Sequence, residues 1–154
     1  MKRLIPCVIL LLAACAGADQ VGRLQPSGYL PDAQALVDQA DWSVPETVSV
    51  EMTDYAFTPD DLVFHRGRPA LLVLRNTTER DHTFVSTGFF KAIAVRQVAS
   101  GAAVEPGPYV EKIVVPAGAT KEMLFVPGGF GAWNFECDRT GHAMLGMKGV
   151  VAVR

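Results

Sequence analysis

The chain has 154 residues, 49% of them apolar, with 14 Gly and 10 Pro. That length suits a single domain with enough interior to fold without cross-links. Its 14 basic residues nearly balance 16 acidic ones and form no basic stripe, which argues against a nucleic-acid partner.

The first residues read as an export signal. Lys2 and Arg3 form a short positive region, and Leu4 to Ala14 is an apolar run broken only by Pro6 and Cys7. The run is about half the length needed to cross a bilayer, so it suits a signal peptide, residues 1–14, better than a membrane span. Leu12-Ala13-Ala14-Cys15 resembles the lipobox of bacterial lipoproteins, in which the cysteine takes a diacylglycerol. Ala16-Gly17-Ala18 also fits ordinary cleavage near Ala18, which would leave a soluble periplasmic protein. The expectation is a cell-envelope protein held to the membrane through lipidated Cys15. Of the three cysteines only Cys137 then remains as a thiol. A lone thiol in an oxidising compartment has no internal partner and needs a role. The 14 basic residues less Lys2 and Arg3 leave 12 against 16 acidic, a mildly acidic mature chain.

Residues 15–45 carry Gly22, Pro26, Gly28, Pro31 and Pro45 and read as a tether with a short helix over 33–40. Trp42 is a candidate to dock that tether on the domain. From Glu46 to residue 154 the pattern changes to short strands separated by turns. Val48, Val50 and Met52 alternate with polar residues, the mark of a strand with one buried face. Leu62–Phe64, the nearly continuous apolar Ala70–Arg75, Asp81–Ser86, Val110–Val115, Ala119–Val126, Trp133–Cys137 and Gly149–Val153 complete the set. Seven or eight strands at this spacing imply an all-β antiparallel sandwich or barrel. Between Gly88 and Ala99, Phe89, Phe90, Ile93, Ala94 and Val98 recur at helical spacing, which predicts a short helix in a crossover, followed by an exposed loop over 101–108.

Chemistry concentrates near the C-terminus. Cys137, His142 and Met147 form Cys-x4-His-x4-Met. Strand alternation puts Trp133, Phe135 and Cys137 on one face, opposite Asn134, Glu136 and Asp138. The aromatic face points inward, and Cys137 with it. Gly141 and Gly146 allow the following loop to bring His142 and Met147 back towards the thiol. A distant imidazole must complete the set. His82 shares a strand face with Phe84, whereas His65 sits at a turn beside Arg66 and reads as a surface residue. Two imidazoles, one thiolate and a weak thioether are the donor set of blue-copper electron-transfer sites. Zinc with one Cys and two His would ordinarily take Cys, His or carboxylate as its fourth ligand. Met144 falls only two residues after His142, too close to swing under the metal.

Trp-Asn-Phe-Glu-Cys137 through Gly-His142-x4-Met147-x-Gly149 resembles the copper loop of the cupredoxin family of type 1 copper proteins, plastocyanin, azurin and auracyanin among them. The loop spacing is like that of auracyanin and rusticyanin. Asp54-Tyr-Ala-Phe57-x-Pro59 and Leu72-x-Leu-Arg-Asn76…Asp81-His82-x-Phe84 resemble the family's early strands and upstream histidine. The resemblance covers Val48 to Val153, about two thirds of the chain. It implies a Greek-key β-sandwich holding one copper ion, cycling between Cu(I) and Cu(II), on His82, Cys137, His142 and Met147. One departure stands out: plastocyanin and azurin place Asn after the upstream histidine, and here that position is Thr83, whose hydroxyl makes a shorter brace.

The function this implies is single-electron transfer, not enzymatic catalysis. The alternative is a periplasmic copper-binding or copper-delivery protein, which would need more exposed ligands. In the family the edge of the C-terminal histidine reaches the surface inside an apolar patch. Met144 and Leu145, with Phe130, are the candidates here for transient docking of a redox protein. The chain is expected to act as a monomer.

Overall fold

The computed structural model describes residues 27–107 and 109–154. The signal peptide, the lipobox at Cys15 and the cleavage position near Ala18 lie outside the described residues.

The described chain runs α1 (Ala33–Gln39), β1 (Glu46–Thr53), β2 (Ala56–Thr58), β3 (Asp61–Phe64), β4 (Ala70–Asn76), β5 (His82–Phe84), α2 (Thr87–Lys91), β6 (Ile93–Ser100), β7 (Ala103–Pro106), β8 (Ile113–Val115), β9 (Thr120–Pro127), β10 (Gly131–Glu136) and β11 (Lys148–Val153). One layer is a six-stranded sheet, β2-β1-β4-β9-β6-β7. The other combines β10-β11-β3 with the β5-β8 pair. A single bridge welds these two pieces: Val85 and Glu136 exchange both backbone hydrogen bonds at 3.0 Å. This bridge brings the end of β5 alongside the end of β10.

Alternating apolar residues build the space between the layers. Val50 and Met52 of β1, Leu62 and Phe64 of β3, and Leu72 and Leu74 of β4 are at most 1% exposed. Phe64, Phe84, Phe89, Phe125 and Phe135 fill the centre, where rings meet edge-on or stacked at 4.6–6.0 Å. The expected all-β sandwich is present, and two of its strand pairs depart from the antiparallel arrangement. β1 pairs with β4 in parallel, and β3 with β11 in parallel. The reason is connectivity: β3 crosses to the second layer, so the chain re-enters the first sheet travelling in its original direction.

The segment 88–99 also departs from expectation. Helix α2 ends at Lys91, and Ile93 to Ser100 is a strand inside the large sheet, paired with β9 and β7. Val95 pairs with Phe125 and Gln97 with Leu124, so Arg96 is an extra, bulged residue. A bulge shifts the alternation by one position. Val95 and Val98 therefore both face the core although three residues apart, which imitates helical spacing. The β-branched Ile93, Val95 and Val98 favour the pleated sheet. The expected loop over 101–108 contains β7, an exposed edge strand that folds back on β6. With β6, β7 and the short β2, the strand total is eleven among the described residues.

Residues 27–45, assigned to the tether by sequence, run along the domain. Helix α1 lies on β6 and β9 with Ala33 buried. Trp42 donates its indole N–H to Val37 O at 3.1 Å, and the Arg96 guanidinium stacks over its ring at 4.9 Å.

Candidate metal centre

The site forms where four pieces of chain end together. His82 opens β5, Cys137 follows β10 directly, Met147 precedes β11, and His142 lies in the loop between the last two. Local sequence explains each position. In β10 the outward Asn134 and Glu136 alternate with inward Phe135, leaving Cys137 0% exposed. Gly141 and Gly146 adopt φ values of 84° and 112°, a region L side chains rarely enter, and so turn the loop back. Backbone bonds then close it: Met147 N–H donates to His142 O at 3.0 Å, and Cys137 N–H to Met147 O at 3.1 Å.

The donors converge. Cys137 Sγ lies 3.5 Å from His142 Nδ1 and 3.9 Å from His82 Nδ1, and all three ligand atoms fall within 4.8 Å of one another. A trigonal ion with bonds of about 2.0–2.3 Å would separate its donors by about 3.5–4 Å, and both sulfur–nitrogen distances fall in that range. His82 and Met147 are fully buried, and His142 is 8% exposed. Met147 belongs to the same core cluster as Cys137. Burial first, and the neighbouring His142 second, hold the His82 imidazole below the ordinary histidine range. That favours the neutral ring, the form with a lone pair to give.

Cys137 and His82 are braced by neighbouring polar groups. Thr83 donates its backbone N–H to Cys137 Sγ at 3.4 Å. Its hydroxyl accepts from the Asp138 N–H at 2.9 Å and donates to Asp138 Oδ1 at 2.7 Å. This is the shorter brace expected of Thr83: it ties β5 to the start of the ligand loop. The Thr83 hydroxyl also holds the Asp138 carboxyl below the usual carboxylate range. Behind the sulfur, Phe84 and Phe135 stack at 4.6 Å and Phe57 meets both edge-on. His82 Nε2 faces the Thr78 hydroxyl at 3.0 Å.

Sequence reasoning missed two contributors. Tyr55 stands edge-on to His142, ring centroids 5.2 Å apart, with φ of 72°. Asn76, 1% exposed, sends its amide N–H groups towards Arg80 O, Val115 O and Pro116 O. Both lie in the segments Asp54-Tyr-Ala-Phe57 and Leu72-x-Leu-Arg-Asn76 that carry the resemblance, but only a buried Asn ending an apolar strand gave a signal of a role at the site.

At the surface, Met144 and Leu145 are 89% and 62% exposed beside His142. Phe130 does not join them, which corrects the expected patch. It precedes β10 and Cys137 follows it, so a six-residue strand of about 20 Å separates the two. Phe130 instead borders a hollow with Leu30, Arg66 and Arg154 at the opposite end. His65 is half-exposed and pairs with Glu46 at 2.9 Å, away from the site.

No family model matches the chain, and no curated protein matches it in sequence. Solved structures do. A dithionite-reduced auracyanin from Roseiflexus castenholzii superposes with a TM-score of 0.52 at 18% identity, over 73% of this chain and 99% of that one. Auracyanin B gives 0.50 at 17%, over 75% and 94%. A multi-copper oxidase from Pseudomonas thermotolerans gives 0.59 at 20%, but the match covers only 31% of the oxidase. These likenesses establish the fold: the chain has an all-β sandwich of the cupredoxin type. Its His82, Cys137, His142 and Met147 group fits a type 1 copper site.

Proposed function

We propose that the protein is a type 1 copper electron carrier, with His82, Cys137 and His142 as strong donors and Met147 as the weak fourth. The observation that carries this reading is the convergence of one thiol and two imidazoles, within 4.8 Å, in a nearly dry pocket. A copper ion held there supplies one-electron exchange, sulfur donors suiting Cu(I) and imidazoles Cu(II). The chain's part is to keep the donors still. Thr83, the loop-closing backbone bonds and the stacked phenylalanines leave them little room to rearrange when the charge changes. The Thr83 N–H on the sulfur and the burial around it tune the potential.

Carrier and oxidase differ in extent. The auracyanins are matched over nearly their whole length and the oxidase over less than a third. Copper delivery is disfavoured because His82, Cys137 and Met147 are 0% exposed and offer nothing to an acceptor. The exposed Met144 and Leu145 beside His142 suit brief docking of a redox protein, since small apolar contacts separate quickly. The same reading puts a monomer in the cell envelope, held through lipid on Cys15 or freed by cleavage near Ala18. A metal ligand role also accounts for a lone thiol in an oxidising compartment.

The test is the visible spectrum of the purified protein with Cu(II), followed by voltammetry. An intense thiolate-to-copper band and a reversible couple are expected. Facile loss of Cu(I) to a chelator with no reversible couple would replace the carrier by a delivery protein.

A further inference from the structure

The His82 ring must carry its proton on one of two nitrogens, and the surrounding atoms decide which. Nδ1 faces Cys137 Sγ. Nε2 faces away from it, 3.0 Å from the Thr78 hydroxyl and 3.6 Å from an Asp54 carboxylate oxygen. The Thr78 hydroxyl has one proton to give and two oxygens ready to take it, Asn76 Oδ1 at 2.9 Å and Arg80 O at 3.1 Å. It already accepts from the Arg80 N–H at 3.2 Å, which leaves one lone pair for His82.

Asn76 cannot relax this arrangement by turning over. Its Nδ2 faces three carbonyl oxygens at 2.7–3.0 Å, and its Oδ1 accepts the Thr78 N–H at 3.0 Å. A flipped amide would set oxygen against oxygen three times, so the network fixes its orientation. The chain makes the Asn76–Thr78 step as an Asx turn, which places residue 78 under the ring that follows four residues later.

We propose that Thr78 is the positioning residue for His82: its hydroxyl, oriented by Asn76, holds the proton on Nε2 and presents Nδ1 to the metal. The inference rests on the reading of His82 as a copper donor. The sequence form of the device is Asn76-x-Thr78-x3-His82. Asp54 stands on the same side, but its half-exposed carboxylate at 3.6 Å lies beyond hydrogen-bond reach.

The test reads the tautomer in the metal-free protein by imidazole 15N NMR, and Cu(II) affinity by chelator competition. Wild type is expected to show a single His82 tautomer with Nε2 protonated. Thr78→Val removes the hydroxyl while keeping the shape and the backbone N–H on Asn76. It should mix the two tautomers and weaken Cu(II) binding roughly 10–100-fold. Thr78→Ser should restore both, and Asp54→Asn should leave the tautomer unchanged. A Thr78→Val protein with the wild-type signature overturns the proposal, as does a Ser variant that fails to restore it. An Asp54→Asn variant that mixes the tautomers would transfer the role to the carboxylate and overturn it too. The tautomer is read without metal. A wild type that binds no copper would therefore sink the functional reading while the NMR still decided the role of Thr78.

Discussion

At the end of the sandwich where β10 runs into Cys137, polar side chains are buried and tied to one another. Asn76, His82 and Thr83 are all 2% exposed or less, and each bonds to a neighbour from a different strand or turn. At the opposite end, the turns after β3 and β9 meet the start of α1 around an open hollow. There Phe130 is 66% exposed, and the Arg66 guanidinium lies over its ring at 4.8 Å. Both ends carry aromatic and titratable residues, but only one removes them from water. Desolvated groups demand complete pairing, and among the described residues no buried side-chain polar atom lacks a partner. That demand is what gives the metal end its fixed geometry, whereas the far end has no such constraint.

The comparison is broken most completely by Cys137→Ser, which should abolish the thiolate-to-copper band while leaving the far end untouched. Next comes the support behind the sulfur. Phe135→Ala removes a fully buried ring stacked on Phe84 and is expected to destabilise the apoprotein by about 3–5 kcal/mol in urea unfolding. Asn76→Ala strips hydrogen bonds from three carbonyls and from Thr78. An unfolding loss of about 1–3 kcal/mol is expected, with weaker Cu(II) binding.

Thr83→Val sharpens the comparison through pH. The Asp138 carboxyl sits below its usual range chiefly because the Thr83 hydroxyl donates to it, with Lys112 helping. A depressed folded value contributes stability above the unfolded value of about 4, and that contribution is lost as pH falls through the folded value. Thr83→Val should therefore be less stable than wild type at neutral pH, with the gap closing in acid. A gap constant across pH would show that the carboxylate bond is not its source. The smallest effect is expected at the far end: Phe130→Ala should change stability by no more than about 0.5 kcal/mol and leave the copper spectrum unaltered.

Much of the metal end could be read from the chain because its determinants are local. The alternation of Trp133, Phe135 and Cys137 set the thiol inward, and the loop spacing with Gly141 and Gly146 returned His142 and Met147 beside it. His82 was legible as the remaining histidine on an apolar strand face. Phe130 was misplaced because six residues is close in sequence, yet a strand carries them the length of the layer. The 93–100 strand is not legible in the sequence because the bulge at Arg96 makes a sheet face repeat at an interval suited to a helix.

The order of residues alone determined that short alternating segments would stack into a β-sandwich, and which four side chains share the donor chemistry. Side-chain period and donor type are properties of neighbouring residues, so they are set before the chain folds. Tertiary structure decided which strands pair in parallel, that Tyr55 stands against His142, and that Asn76 is anchored on Val115 and Pro116 while it holds Thr78. The pairing of strands, the Tyr55 contact and the Asn76 bonds to Val115 and Pro116 depend on segments distant in the chain, and no local pattern encodes the distance between them.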